Sequence, residues 1–165
     1  MNEDKTKKDI VKNLRILGID PGLCKTGWGM IHKIGHQSSW ISHGVFQTKP
    51  EDTLSDRLCF LHTQVKHIIE LYQPDVICLE EIFMNTNPNS TLKLGMARGV
   101  LLMLPSLFHI PVFEYRPNYV KKAVTGSGHA DKEQVIKMIQ LLLRPQQEMT
   151  KDSADALAIA LCHTS

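Results

Sequence analysis

Three extended runs near the start of the chain leave little choice of sheet. Leu14 to Asp20, Thr26 to Lys33 and Ser39 to Thr48 are rich in apolar and β-branched residues, and only short connections, Pro21-Gly22 onward and Gly35-His36-Gln37, separate them. A parallel pair needs a crossover of a dozen or more residues, so strands joined this closely form an antiparallel meander. The first run ends abruptly in Asp20-Pro21-Gly22. Asp is a poor strand former and costly to bury uncompensated, so an Asp closing an apolar strand is a cap, an ion-pair member or a metal ligand. A turn-initiating Asp before Pro-Gly is an equal alternative on this stretch alone.

Beyond the meander the period changes. Thr53 and Asp56 resemble a capping box, and Leu54, Leu58, Leu61, Val65, Ile68 and Ile69 recur at helical spacing up to Tyr72. Val76-Ile77-Cys78-Leu79-Glu80 then reads as a buried parallel strand that again finishes in a carboxylate. After a polar loop, Ser90 is expected to cap a helix from Thr91 to Leu107, with Gly95, Ala97 and Gly99 leaving room for close packing. Val112 to Tyr115 reads as a strand and Pro117 as the start of a short helix. Further helices are expected over Asp131 to Leu143 and from Asp152 to Cys162. A meander extended by strands through crossover helices gives a mixed α/β sheet with helices on its faces.

At 165 residues the chain is of single-domain size. Residues 14–165 are read as one domain and residues 1–13, a polar Lys-, Asp- and Glu-rich lead-in, as a disordered extension. No apolar run approaches the length of a membrane span, and a secretory signal is not expected, which points to a cytoplasmic protein without membrane contact. Cys24, Cys59, Cys78 and Cys162 lack metal-site spacing and read as reduced thiols. The formal net charge of +2 does not by itself announce nucleic acid, although near-balance can hide a basic groove around an acidic site.

The acids invite a convergence test. Asp152 and Asp155, three apart, project from one helix face, and their small apolar surroundings indicate a helix packed on the sheet. Alternation along a strand lets only one of Glu80 and Glu81 face the same side as Asp20. Two strand-end acids plus a helical pair offer hard oxygen ligands suited to Mg²⁺, or to Mn²⁺ as a substitute, rather than zinc. Two such ions about 4 Å apart would activate water and stabilise the leaving oxygen of an in-line displacement, which implies phosphodiester hydrolysis.

Gly18-Ile19-Asp20-Pro21-Gly22, Leu79-Glu80-Glu81-Ile82-Phe83, Leu92 to Gly99, Val112 to Tyr115 and Asp152 to Ala158, in this order and spacing, closely resemble the RuvC Holliday-junction resolvases. The resemblance implies a ribonuclease H-like, metal-dependent homodimer that cuts opposing strands of a four-way DNA junction in recombination and repair, alongside the RuvA-RuvB branch-migration complex. It carries the family's four catalytic, metal-binding acids onto Asp20, Glu80, Asp152 and Asp155, and so selects Glu80 over Glu81. Lys121 and Lys132 match lysines near the scissile phosphate, where a cation would offset developing charge. Phe83 matches an aromatic that contacts bases near the crossover, and Lys93 and Arg98 are candidate phosphate contacts in the matching Leu92 to Gly99 motif. His129 reads as a surface loop residue, and Trp28 and Trp40 as packing residues. A different ribonuclease H-like nuclease, a sugar-kinase-like ATPase and an inactive junction-binding module remain as rivals. The lead-in and the absence of a basic tail depart from the family pattern without touching the acids.

Overall fold

The computed structural model describes residues 13–82 and 87–164. The expected disorder of the lead-in and the role expected of Phe83 therefore lie outside the described residues. The elements are β1 (Asn13–Asp20), β2 (Lys25–Ile34), β3 (Gln37–Gln47), α1 (Leu54–Tyr72), β4 (Val76–Glu80), α2 (Pro88–Leu107), β5 (Val112–Tyr115), α3 (Pro117–Thr125), α4 (Lys132–Leu143) and α5 (Lys151–Cys162). They build one five-stranded sheet in the order β3-β2-β1-β4-β5. The first three strands pair antiparallel, whereas β4 runs parallel to β1 and β5 parallel to β4. The mixed sheet expected from the short connections is borne out.

Side-chain alternation divides the core into two layers. Ile16, Val76 and Cys78 face one side, where α3, α4 and α5 supply Val120, Val124, Val135, Ile139, Leu157 and Leu161. Leu17, Ile19, Ile77 and Leu79 face the other, where Leu61, Val65 and Ile69 of α1 meet Ala97, Leu101 and Leu104 of α2. Trp28 belongs to this second layer, its ring stacked near Phe46 and tilted against Tyr72. Both tryptophans are packing residues, for the Trp40 indole donates to Nδ1 of His43 at 2.8 Å.

Local signals set the helix ends. Thr53 caps α1 by accepting the Asp56 amide. Asp131 with Gln134 and Thr150 with Ser153 form full capping boxes at α4 and α5, so each helix begins one residue away from where its acids suggest. The expected Ser90 cap is corrected: Asn87 caps α2, its side chain accepting the amides of Asn89 and Ser90, and Pro88 occupies the first turn. Proline suits that position because its missing donor is one the helix leaves unused. The glycines of α2 also differ from expectation. Ala97 is buried, but a Cβ added at Gly95 or Gly99 would meet nothing within 4 Å, so both face outward.

Candidate active site

Asp20 and Glu80 reach the same place through strand parity. Ile16, Gly18 and Asp20 alternate onto the α5 face of β1, as Val76, Cys78 and Glu80 do on β4. The parallel register pairs Gly18 with Cys78 and Ile19 with Leu79, which leaves the two acids at neighbouring strand ends. Glu81, next along, turns away and pairs with Arg116 at 3.3 Å. Glu80, and not Glu81, therefore stands beside Asp20.

The second pair of acids is brought down by glycines. A Cβ at Gly18 would run into the Ala156 carbonyl, and one at Gly27 into that of Asp152. At Gly29 an added Cβ would stand 2.6 Å from the Leu157 side chain. Gly27 is also the antiparallel partner of Asp20. These glycines, with Ala156 and Ala160 of α5 against Gly18, let the helix lie close on β1 and β2, so that Asp152 and Asp155 arrive beside Asp20. This glycine track was not recognised in the sequence, although Gly27-x-Gly29 in one strand and the alanines three to four apart are its signal.

Electrostatics records the convergence. Burial first, then Glu80, Asp155 and Asp152, push the Asp20 carboxyl from 3.8 up to about 8, with Lys132 opposing. Burial and the Asp155 charge raise Glu80, against Lys132, Lys121 and Arg98. Asp155 is likewise raised by burial and held back mainly by Lys132, whose Nζ donates to Asp155 Oδ2 at 3.3 Å. The Asp155 charge is in turn the main cause that raises Lys132. Lys121 joins Glu80, Lys132 and Asp155 around a cavity of about 220 Å³ closed by Val120 and Val135. Among the described residues no three His, Cys, Asp or Glu side chains are gathered closely enough to hold a metal ion as they stand. Lys132 offsets the crowded negative charge only in part, and the donor set, four carboxylates without sulfur or imidazole, has the chemistry of a hard divalent cation site.

Other candidates lie elsewhere. Lys93 is exposed on α2. Arg98 is 8% exposed, and its guanidinium donates to the Glu80 carbonyl and to Oε1 of Glu114. His129 is exposed in the loop after the α3 cap Gly126. Cys24, Cys59, Cys78 and Cys162 are free thiols, and among the described residues no helix is long and apolar enough to cross a membrane.

Comparison with known proteins places this geometry in a family. The family model "Crossover junction endodeoxyribonuclease RuvC" matches residues 16–163. The protein of that name from Agrobacterium fabrum is 44% identical over 152 residues, covering 92% of this chain and 89% of the relative. The one from Bartonella henselae is 42% identical over 156 residues, covering 94% and 92%. Among solved structures, Thermus thermophilus RuvC in complex with Holliday junction substrate superposes with a TM-score of 0.85 at 32% identity, covering 91% of this chain and 92% of that one. A sheet whose strand ends and docked final helix converge four acids, matched over nearly its whole length at this identity, belongs to the crossover junction endodeoxyribonuclease RuvC family.

Proposed function

We propose that the chain resolves four-way DNA junctions by divalent-metal-dependent hydrolysis of phosphodiester bonds near the crossover, in recombination and repair. The convergence of Asp20, Glu80, Asp152 and Asp155 on one end of the α5 face, with Lys121 and Lys132 at its border, carries the reading. The four carboxylates hold the metal, Mg²⁺ with Mn²⁺ as a substitute, and their number suits two ions. When bound, the cations supply Lewis-acid activation of water and charge stabilisation for an in-line displacement.

The chain's own side chains do the rest. Asp20 stands at the centre of the carboxylates, and its raised proton affinity means that metal and proton compete for it. Lys132 and Lys121 present ammonium groups toward the cavity, where they offset charge that develops on the phosphate. Lys93 is proposed as a phosphate contact from its exposed position on α2. Phe83 is proposed as a base contact from the family match alone. Arg98 is not offered in that role, because its guanidinium is already engaged inside the fold.

A four-way junction presents two symmetry-related strands to be cut, which calls for two copies of the site. On α2, Leu92, Met96, Met103 and Leu107 are 61%, 39%, 50% and 64% exposed. Their spacing puts them in one stripe with the open Gly99, on the helix side away from buried Ala97, Leu101 and Leu104. This stripe fits a second copy of the chain, and family membership supports joint action with the RuvA-RuvB complex. The test is Mg²⁺-dependent cleavage of a synthetic four-way junction, a linear duplex and an RNA-DNA hybrid, with product ends mapped. Paired cuts confined to the junction are expected, and binding without cutting is expected for Asp20→Asn. Cleavage of the hybrid with an intact junction would transfer the chain to another ribonuclease H-like activity.

A further inference from the structure

The guanidinium of Arg98 is a buried cation with an address. It projects from the inner side of α2, and one nitrogen, Nη1, donates to the backbone carbonyl of Glu80 while Nη2 donates to the Glu114 carboxylate on β5. The peptide unit that carries the Glu80 carbonyl also carries the Glu81 amide, and that amide donates to the Tyr115 carbonyl at 2.8 Å. Both poles of the peptide that follows the Glu80 Cα are therefore tied, one to the backbone of β5 and the other to Arg98.

Position makes this consequential. The pairing of β4 with β1 stops at Leu79 while Glu80 still pairs with Tyr115 of β5, so on the β1 side the Glu80 carbonyl has no strand partner. The direction of the Glu80 side chain depends on the backbone on both sides of its Cα. The strand holds the side before the Cα; after it, β5 holds the amide pole of the peptide and Arg98 holds the carbonyl pole. Stability alone does not account for a guanidinium here, because its carboxylate partner is 39% exposed and an ion pair open to water on one side adds little. A fork-shaped, permanently charged donor does suit two oxygens on two different elements.

We infer that Arg98 is a positioning residue: clamped to Glu114, it fixes the strand end that aims the Glu80 carboxylate at the metal site. The inference rests on the proposed nuclease site and assigns Arg98 to Glu80 rather than to DNA. The fork joins α2, β4 and β5, so it also ties the backbone beneath Glu80 to the helix that presents the outward apolar stripe. Outer contacts that orient metal ligands are worth roughly 10- to 100-fold in metal affinity or activity when removed, and that range sets the expectation.

The experiment compares wild type with Arg98→Met, Arg98→Lys and Glu114→Gln in three measurements. These are junction affinity, single-turnover cleavage rate at saturating junction across a Mg²⁺ titration, and the Mg²⁺-induced shift of the melting midpoint without DNA. For Arg98→Met, junction affinity is expected to hold within about twofold while the saturated rate falls roughly 10- to 100-fold, the Mg²⁺ requirement rises and the Mg²⁺-induced shift shrinks. Arg98→Lys, which keeps the charge but cannot fork, is expected to recover part of the rate, and Glu114→Gln to lose a smaller part. A wild-type saturated rate in Arg98→Met overturns the inference. So does weakened junction affinity with an unchanged saturated rate, the pattern of a phosphate contact. If Arg98→Met does not fold, wild-type rates in both Arg98→Lys and Glu114→Gln overturn it equally. The DNA-free melting shift separates this inference from the substrate assignment, since a chain that cut another nucleic acid would still show the Arg98 effect there.

Discussion

Replacing Asp20 by Asn should make the metal-free protein more stable at neutral pH while it removes activity. The folded chain keeps a proton on Asp20 up to about pH 8, whereas the unfolded chain releases it near 3.8. In that window the native state binds more protons, so stability falls as pH rises. Each unit of displacement is worth about 1.4 kcal/mol, which puts the loss from Asp20 alone at about 2 to 3 kcal/mol between pH 5 and pH 7, with a ceiling near about 6 kcal/mol above pH 8. Asp20 keeps partial contact with water, so the lower end of that range is the expected one. For a chain of this size a 2 kcal/mol difference moves the melting midpoint by roughly 4–8 °C. The assay is thermal melting in excess chelator from pH 5 to pH 8 for wild type and Asp20→Asn. The wild-type midpoint is expected to drop relative to the variant as pH rises, and the two curves to meet near the acid end. Parallel curves across the whole range would refute the argument that Asp20 is a carboxyl whose charge is disfavoured by burial and by the neighbouring acids in the absence of metal. Added Mg²⁺ should restore the wild type most at the alkaline end, where the unpaired charge is greatest.

Two glycine positions predict opposite outcomes. Gly27→Ala drives a Cβ into the Asp152 carbonyl, and overpacking of this kind costs about 1–3 kcal/mol. It should lower the midpoint and, at temperatures where the protein is still folded, slow cleavage by displacing the α5 turn that carries Asp152. Gly99→Ala meets open space and should leave the fold intact or stabilise α2 by up to about 1 kcal/mol. If the α2 stripe receives a second copy, Met103→Asp should shift the protein toward monomer in sedimentation equilibrium and remove the concentration dependence of its melting midpoint. A dimer that persists unchanged would place the interface elsewhere.

Much of the fold was legible because it depends on short-range rules. The connections between the first three runs fixed an antiparallel trio, and the five-residue run ending at Glu80 had the length and apolarity of a buried strand. The candidate acids were legible in part for the same reason, since alternation and the i, i+3 repeat are local properties, but the choice of Glu80 over Glu81 came from the family resemblance. What escaped was decided between segments far apart in sequence. Whether Arg98 faces solvent or the core depends on where Glu114 falls in the sheet, and nothing near Arg98 records that. The α2 cap went to Asn87 rather than Ser90 because Pro88 is itself a helix-starting residue, a local signal that was outweighed by the serine. The role of Gly18, Gly27 and Gly29 becomes visible only when α5 is laid on the sheet. Each is a plain glycine in a strand until the alanine-rich helix arrives.

The docking of α5 into that glycine track also bears on how the protein comes to life during synthesis. Asp20 and Glu80 belong to elements made early, but Asp152 and Asp155 sit on the last helix in chain order. A growing polypeptide that has not yet made α5 therefore lacks two of the four proposed ligands and a helix that covers one face of its sheet. On that assignment the site is complete only once α5 has settled against β1 and β2.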